Sequence, residues 1–218
     1  MDLYISPLSC SLAVHIAALE AGITPTLYRV DRKTKLLDDG RDFHAISPLG
    51  IVPAITLADG SILTESSAVL QYIADQAPAK QLAPPWGTPE RYHLQQWLNF
   101  TTSELHKKHA WMIFSSKTSA EMKAWSRANA APTLDYAARH LADREYVVGG
   151  RFTVADAYLF WALFVAPHGG LSLDAHPALQ AYVARIQSRP SVAAALAVEL
   201  PIYQREVAAG TAPRSQVA

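Results

Sequence analysis

Cys10 is the only thiol in the chain and the first residue that could do chemistry. It follows a short apolar strand pattern at residues 3–5 and stands where a helical pattern begins. The unpaired amides and dipole of a helix start favour an anion, and therefore the thiolate over the thiol. The hydroxyls of Ser9 and Ser11 flank it and could donate to a bound thiolate. A small residue that only packs is the competing interpretation.

Two dipeptides could hold parts of a small peptide. Pro53 stands at a strand entrance, and a cis Val52–Pro53 bond would let the Val52 backbone pair with an extended peptide. Glu65 and Ser66 open a helix, where the hydroxyl and the free amides favour a carboxylate and Glu65 could accept from an ammonium group. From the residues alone, two simpler interpretations remain open: Pro53 follows an ordinary trans bond, and Ser66 is only an N-cap.

The basic residues give a weaker signal. His106 and Lys107 belong to a basic run on a long predicted helix, and Lys35 lies in a polar loop. Such residues usually lie on the solvent-exposed surface, so at most one or two are expected to face a cleft. The eight histidines show no metal-ligand spacing, and no phosphate-binding loop or nucleophile elbow is present. The sequence therefore predicts no metal site.

The elements that must position these residues follow a βαβ order and then a ββα order. Asp59-Gly60 between two short alternating segments is a strong hairpin signal. Two strands joined by a helix are expected to be parallel with a right-handed crossover, and the hairpin adds an antiparallel pair. The strand patterns lie at residues 3–5, 26–30, 54–57 and 62–63, with helices from residue 10 and over 66–77. The sequence predicts a four-stranded mixed sheet of the thioredoxin-like plan.

A proline-rich stretch divides the chain, because prolines block both helix and sheet. Beyond it the patterns are helical, over residues 91–114 and 120–141, and Thr153 with Asp156 forms a capping box. Pro177 and Pro190 are typical first-turn prolines of further helices. We therefore predict an α+β thioredoxin-like domain over residues 1–79, a linker over 80–87, an all-α helical bundle domain over 88–205 and a tail over 206–218.

Composition excludes several classes of function. The 218 residues are 50% apolar and 17% charged, as in globular proteins, and 19 basic residues balance 19 acidic ones. This balance gives no reason to expect nucleic acid or an anionic membrane as partner. The longest apolar run, residues 157–166, is too short to span a bilayer, and the acidic Asp2 argues against a signal peptide. The expected location is cytoplasmic.

The order of these motifs resembles a cytosolic glutathione S-transferase over nearly the whole chain. The resemblance is carried by SPLSCS at residues 6–11, VP at 52–53, TES at 64–66 and FTVADAY at 152–158. The cysteine at position 10 makes the chain similar to the bacterial beta class. The resemblance implies the glutathione S-transferase fold, glutathione as co-substrate and a homodimer.

The resemblance also implies a role for each site residue. Pro53 is the expected cis-proline, Val52 pairs with the cysteinyl backbone of glutathione, and Cys10 lies beside its sulfur, by hydrogen bond or mixed disulfide. In the first domain, Lys35 lies near the glycine carboxylate, and Glu65 and Ser66 bind the γ-glutamyl end. His106 and Lys107 bind glutathione from the second domain. Asn99 and Ser103 can reach the glutathione of the partner subunit.

The expected reaction is attack of glutathione thiolate on a small hydrophobic electrophile, with Cys10 and His106 as catalytic residues. Trp111, Phe114 and Phe164 are expected to line the electrophile pocket, although each could equally belong to the bundle core. Two alternatives stay open: thiol–disulfide exchange through Cys10, and a non-catalytic binder of hydrophobic ligands or glutathione. The sequence identifies neither the electrophile nor the physiological role, whether detoxification, catabolism or stress defence.

Overall fold

The computed structural model describes residues 1–213 and divides them into two compact units. Met1–Ala83 and Pro190–Pro213 form the first unit, and Pro84–Arg189 forms the second. The first break, after residue 83, falls inside the predicted linker of residues 80–87. The grouping differs from the predicted domains at the other end, because the helix that starts at Pro190 is grouped with the first unit and not with residues 88–205. Residues 206–208 of the predicted tail are helical, and residues 214–218 lie outside the described residues.

The first unit is built on a mixed sheet of four strands. They are β1 (Asp2–Ile5), β2 (Thr26–Arg29), β3 (Ala54–Thr56) and β4 (Ile62–Thr64), in the order β2-β1-β3-β4. The pair β1–β2 is parallel and the other two pairs are antiparallel. At the hairpin, the Leu57 amide donates to the Ser61 carbonyl at 2.8 Å, and Gly60 takes a φ of +83° that suits glycine. The predicted sheet and hairpin are confirmed.

Helices supply the remaining regular structure of both units. They are α1 (Ser11–Glu20), α2 (Ser66–Gln76), α3 (Pro89–Phe100), α4 (Met112–Phe114), α5 (Ala120–Ala128), α6 (Ala131–Leu141), α7 (Val154–Val165), α8 (Pro177–Gln187) and α9 (Pro190–Ala208). Short 3-10 turns cover Phe43–Ala45, Pro78–Lys80 and Pro167–Gly169. Among residues 1–213, no helix has the length and apolar character that a membrane crossing requires.

Helix α9 joins the first unit because it packs against α1 and contributes a buried carboxylate. Glu199 is fully buried, and its Oε1 lies 2.9 Å from Nδ1 of His15 on α1. Its Oε2 accepts a hydrogen bond from the Leu8 amide at 2.8 Å. A buried carboxylate is stable only when paired and hydrogen-bonded, so these contacts fix α9 against α1 and the loop before it.

The second unit contains a helical feature that the sequence did not predict. Between α3 and α4 the chain continues as a π-helix over Thr101–Trp111, which we call the π segment. Residues 120–141, predicted as one helical pattern, are two helices, and that part of the prediction is wrong. Pro132 lies in the first turn of α6, where it lacks an amide to continue an earlier helix, and Asn129 ends α5.

The predicted capping box opens α7. The Asp156 carboxylate accepts hydrogen bonds from the Thr153 amide at 2.8 Å and the Thr153 hydroxyl at 2.9 Å. It also accepts from the Val147 amide at 2.8 Å and the Tyr182 hydroxyl at 3.0 Å. Burial raises the pKa of Asp156 to about 6, against the opposite effect of these hydrogen bonds. The box thereby fixes the start of α7, which carries Tyr158.

Candidate active site

Cys10 lies at the start of α1, where the sequence placed it. It takes the N-cap position without a side-chain capping bond, and it is buried. Its thiol donates to the Val52 carbonyl with Sγ 3.3 Å from the oxygen. The flanking hydroxyls pair with each other, since Ser9 Oγ lies 2.9 Å from Ser11 Oγ. The first unit therefore brings two of the predicted site residues, Cys10 and Val52, into contact.

The Val52–Pro53 peptide bond is cis, as the resemblance implied. Pro53 is buried and directly precedes β3. A proline at this position costs the sheet no hydrogen bond, because it stands before the first residue of the strand.

Four non-glycine residues of the first unit have left-handed backbone. Leu8, Lys35, Glu65 and Gln81 have φ values of +56°, +61°, +66° and +52°. Such conformations are costly for residues with a Cβ and often mark functional sites. Lys35 and Glu65 were predicted site residues, and Leu8 lies two residues before Cys10. No signal in the sequence pointed to a site role for Leu8, whose amide is held by Glu199.

Ser66 is the first residue of α2, and its hydroxyl is not used as a helix cap. The N-cap position belongs to Glu65, which makes no side-chain capping bond and is exposed. The interpretation of Ser66 as a plain N-cap is therefore wrong, because the residue lies inside the first turn. Within the described residues its hydroxyl makes no hydrogen bond. An unused hydroxyl at a helix start, beside an exposed carboxylate, can bind a group that carries both charges.

Lys35 lies in a loop whose backbone is fixed on both sides. Its amide donates to the Asp31 carbonyl at 3.1 Å, and its carbonyl accepts from the Phe43 amide at 2.9 Å. The side chain is half-buried. The backbone hydrogen bonds therefore hold the position of the lysine, and its left-handed φ, in place.

His106 lies in the π segment and contacts two aromatic residues of α7. Its Nδ1 is 2.7 Å from the Tyr158 hydroxyl oxygen, and its ring meets Trp161 edge to face with centroids 4.7 Å apart. Burial, with a smaller effect of Lys107, lowers the pKa of His106 to about 3. His106 is therefore neutral at physiological pH. Tyr158 belongs to the quoted FTVADAY motif, but nothing in the sequence connected it with His106.

The other predicted residues of the second unit do not form one cluster. Phe114 lines a small apolar cavity together with His109 and Leu105, whereas neither Trp111 nor Phe164 does so. Phe164 stacks on Phe160 with ring centroids 5.4 Å apart. The cavity, about 10 Å³, is no larger than a water molecule, so it does not by itself define an electrophile site. The exposed members of the predicted set are Asn99, Ser103, Lys107 and Trp111.

A metal site needs several ligand side chains close together. Residues 1–213 contain no group of three or more histidine, cysteine, aspartate or glutamate side chains placed to hold an ion.

Comparison with known proteins identifies the family. The glutathione S-transferase N-terminal domain model matches residues 9–76, and the C-terminal domain model matches residues 103–199. Glutathione S-transferase GstA of Escherichia coli O157:H7 is 41% identical over 199 residues, covering 91% of this chain and 98% of that protein. A sphingomonad glutathione S-transferase, solved in complex with glutathione, has a TM-score of 0.87 at 43% identity, covering 91% and 98% of the two chains. A beta-class glutathione S-transferase of Sphingomonas chungbukensis has a TM-score of 0.88 at 44% identity, with the same coverage.

The first unit has a thioredoxin-like sheet with a cysteine at the start of its first helix, and an all-helical unit follows it in the chain. Together these features define a class of thiol-binding enzymes. Within that class the chain belongs to the glutathione S-transferase family, and its similarity to the Sphingomonas enzyme supports the beta class. The chain is thus a transferase, and glutathione is its co-substrate.

Proposed function

We propose that this enzyme conjugates glutathione thiolate to small hydrophobic electrophiles. The observation that carries the proposal is the contact between the Cys10 thiol at the start of α1 and the Val52 carbonyl before β3. The helix start favours a thiolate sulfur nearby, and the Val52 backbone, directly before β3, suits pairing with the cysteinyl part of a tripeptide. The enzyme then lowers the barrier by holding an ionised thiol and its electrophile together.

Each glutathione group has a residue of matching chemistry. We assign the γ-glutamyl carboxylate to Ser66 and the start of α2, and the γ-glutamyl ammonium to Glu65. Lys35 is assigned to the glycine carboxylate. Val52 and Pro53 hold the cysteinyl backbone. When glutathione binds, the Cys10 thiol exchanges its hydrogen bond to the Val52 carbonyl for one to the glutathione sulfur.

The residues of the second unit are assigned as the resemblance implies. His106 acts in catalysis and Lys107 in glutathione binding, while Asn99 and Ser103 reach the glutathione of the partner subunit in a homodimer. The electrophile is assigned to the aromatic residues Trp111, Phe114 and Phe164. The molecular mass of the protein in solution tests the homodimer. Cell fractionation tests the cytoplasmic location. The sensitivity of a deletion strain to electrophiles tests the role in detoxification.

Thiol–disulfide exchange through Cys10 is the less favoured function. The thiol is buried, and it donates its proton to a carbonyl, which stabilises the thiol over the thiolate that must attack a disulfide. GstA and the sphingomonad protein, both above 40% identity, are moreover transferases by name.

The experiment that tests the proposal measures conjugation and reduction of a glutathione mixed disulfide for the wild type, Cys10→Ala and Cys10→Ser. We expect the wild type to conjugate, Cys10→Ala to lose about tenfold in kcat, and Cys10→Ser, which keeps a hydrogen-bond donor, to lose less. A wild type that reduces the mixed disulfide but does not conjugate would overturn the proposal. A wild type that binds glutathione and does neither would make the protein a binder.

A further inference from the structure

We infer that Tyr158 fixes the tautomer of His106, so that His106 acts as a neutral hydrogen-bond donor through Nε2 and not as a general base. Tyr158 is then a positioning residue, since it acts through His106. The inference rests on the proposed function in one respect only, namely that His106 serves conjugation. The tautomer itself can be measured without any activity.

The geometry holds His106 by its Nδ1 edge. Tyr158 is almost fully buried, and its hydroxyl oxygen lies 2.7 Å from His106 Nδ1. Trp161, one turn further along α7, stacks on Tyr158 with centroids 5.8 Å apart and packs edge to face on the imidazole. Two rings fixed to one helix therefore determine where the imidazole lies. The capping box at the start of α7 fixes that helix in turn.

The direction of this hydrogen bond follows from acid–base strength. Neutral imidazole has one N–H and one bare nitrogen, so either group can be the donor. A phenol, with an ordinary pKa of about 10, is a far stronger acid than a neutral imidazole N–H, and the bare imidazole nitrogen is a stronger base than a phenol oxygen. Tyr158 therefore donates and Nδ1 accepts. The single imidazole proton must then lie on Nε2.

With this tautomer, His106 can act in catalysis as a hydrogen-bond donor only. Burial keeps the pKa of His106 at about 3, so the doubly protonated ring is not populated near neutral pH. A neutral Nε2–H can stabilise the negative charge of a thiolate or of the electrophile during attack. It has no lone pair with which to take the thiol proton. Within residues 1–213, Nε2 has no hydrogen-bond partner, so it remains available to a ligand.

The first test is nitrogen NMR of the full-length protein labelled at histidine, near neutral pH, with His106→Gln used to assign the signals. We expect the wild type to show a protonated Nε2 and a bare Nδ1, and Tyr158→Phe to show a mixture of the two tautomers. A wild type with protonated Nδ1 would overturn the inference, as would an unchanged tautomer in Tyr158→Phe. These results do not depend on whether the protein conjugates glutathione.

The second test is kinetic and separates a donor from a base. The glutamine amide places a donor near the position of Nε2 but cannot act as a base, so His106→Gln should keep kcat within about fivefold while His106→Ala loses about a hundredfold. Equal, large losses in both variants would assign a base and overturn the inference. Tyr158→Phe should lower kcat about threefold to tenfold, with KM for glutathione unchanged.

The matched control is Tyr136→Phe. This variant also removes a tyrosine hydroxyl from the second unit, on a ring that stacks on Trp97 with centroids 5.6 Å apart. It should leave kcat and the His106 tautomer unchanged. If Tyr136→Phe lowers kcat as much as Tyr158→Phe, the effect of Tyr158 is not specific to His106 and the inference fails.

Discussion

Ser66 is the proposed partner of the γ-glutamyl carboxylate. Its hydroxyl lies in the first turn of α2 and makes no hydrogen bond within the described residues, so a ligand carboxylate would face no internal competitor. A hydrogen bond to a charged group contributes about 1.5–3 kcal/mol. Loss of this hydroxyl should therefore weaken glutathione binding by a measurable amount.

We predict that Ser66→Ala raises KM for glutathione by about tenfold or more and leaves kcat within about threefold, because the contact is equal in the ground and transition states. Steady-state kinetics at varied glutathione concentration measure both constants. Ser188→Ala, which removes an exposed hydroxyl at the end of α8, is the control and should behave as the wild type. An unchanged KM in Ser66→Ala would remove Ser66 from the binding site.

His106 also predicts how stability depends on pH. Its pKa is about 3 in the folded protein and about 6.5 in an unfolded chain, so the unfolded state binds the proton first as the pH falls. Stability is thus fully present above pH 6.5 and is lost progressively down to about pH 3. His106→Gln should show a weaker loss than the wild type over this window.

Urea denaturation at several pH values measures this difference. Other histidines with lowered pKa, such as His109 and His140, are present in both proteins and cancel in the comparison. His93→Gln, at an exposed position, serves as the control. Identical pH dependence in His106→Gln and the wild type would contradict a neutral, buried His106.

At the level of secondary-structure elements, α9 determines the backbone before Cys10. Glu199 on this helix holds the amide of Leu8, whose φ of +56° is unfavourable for leucine. The same helix carries Glu206, which pairs with Arg32, and Arg32 in turn donates to the Pro7 carbonyl. Helix α9 thus contacts the loop that leads into α1 directly at Leu8, and through Arg32 at Pro7.

We predict that Glu199→Ala lowers the free energy of unfolding by about 3–5 kcal/mol, since it leaves His15 and the Leu8 amide without their buried partner. Glu199→Gln keeps an acceptor for the amide and should lose less. Hydrogen exchange at the Leu8 amide should be faster in Glu199→Ala.

The control for this prediction is Val198→Ala. Val198 lies on the same helix and is exposed, so its loss should change stability by less than about 0.5 kcal/mol. If Glu199→Ala matches Val198→Ala in unfolding and in exchange at Leu8, α9 does not hold this loop.

The elements show which parts of the structure the sequence could predict. Sheet, hairpin and capping box depend on local signals, namely alternation, Asp59-Gly60 and the Thr153-to-Asp156 spacing, and all three are confirmed. The π segment was not predicted, because its buried positions Thr101, Leu105 and His109 have a spacing compatible with an α-helix. A local pattern fixes which face is buried but not how tightly the backbone is wound.

The sequence also did not predict which residues far apart in the chain are in contact. Cys10 was found from its place before a helix, but its contact with Val52 joins residues 42 positions apart. The contact between His106 and Tyr158 joins residues 52 positions apart. Periodicity and spacing carry no information on such pairs, so the sequence predicted the reactive groups and not the neighbours that set their protonation.

For the chain as a whole, the two family models at residues 9–76 and 103–199 assign a glutathione transferase. The proposed role of the first unit, with its helix starts and cis-proline loop, is to hold the tripeptide thiol. The proposed role of the neutral histidine in the second unit, which contacts two aromatic rings, is to stabilise developing negative charge. Truncated proteins would lack one of these groups, so the full chain is the appropriate object for a decisive assay.

The proposed activity joins glutathione to a small hydrophobic electrophile. The most direct measurement is the rate at which the full-length wild type forms the glutathione conjugate of chlorodinitrobenzene, identified by mass, alongside glutathione binding by calorimetry. We predict a rate well above the uncatalysed one that saturates in both substrates. Bound glutathione with a rate equal to the uncatalysed reaction, for this and a panel of further electrophiles, would contradict the claim.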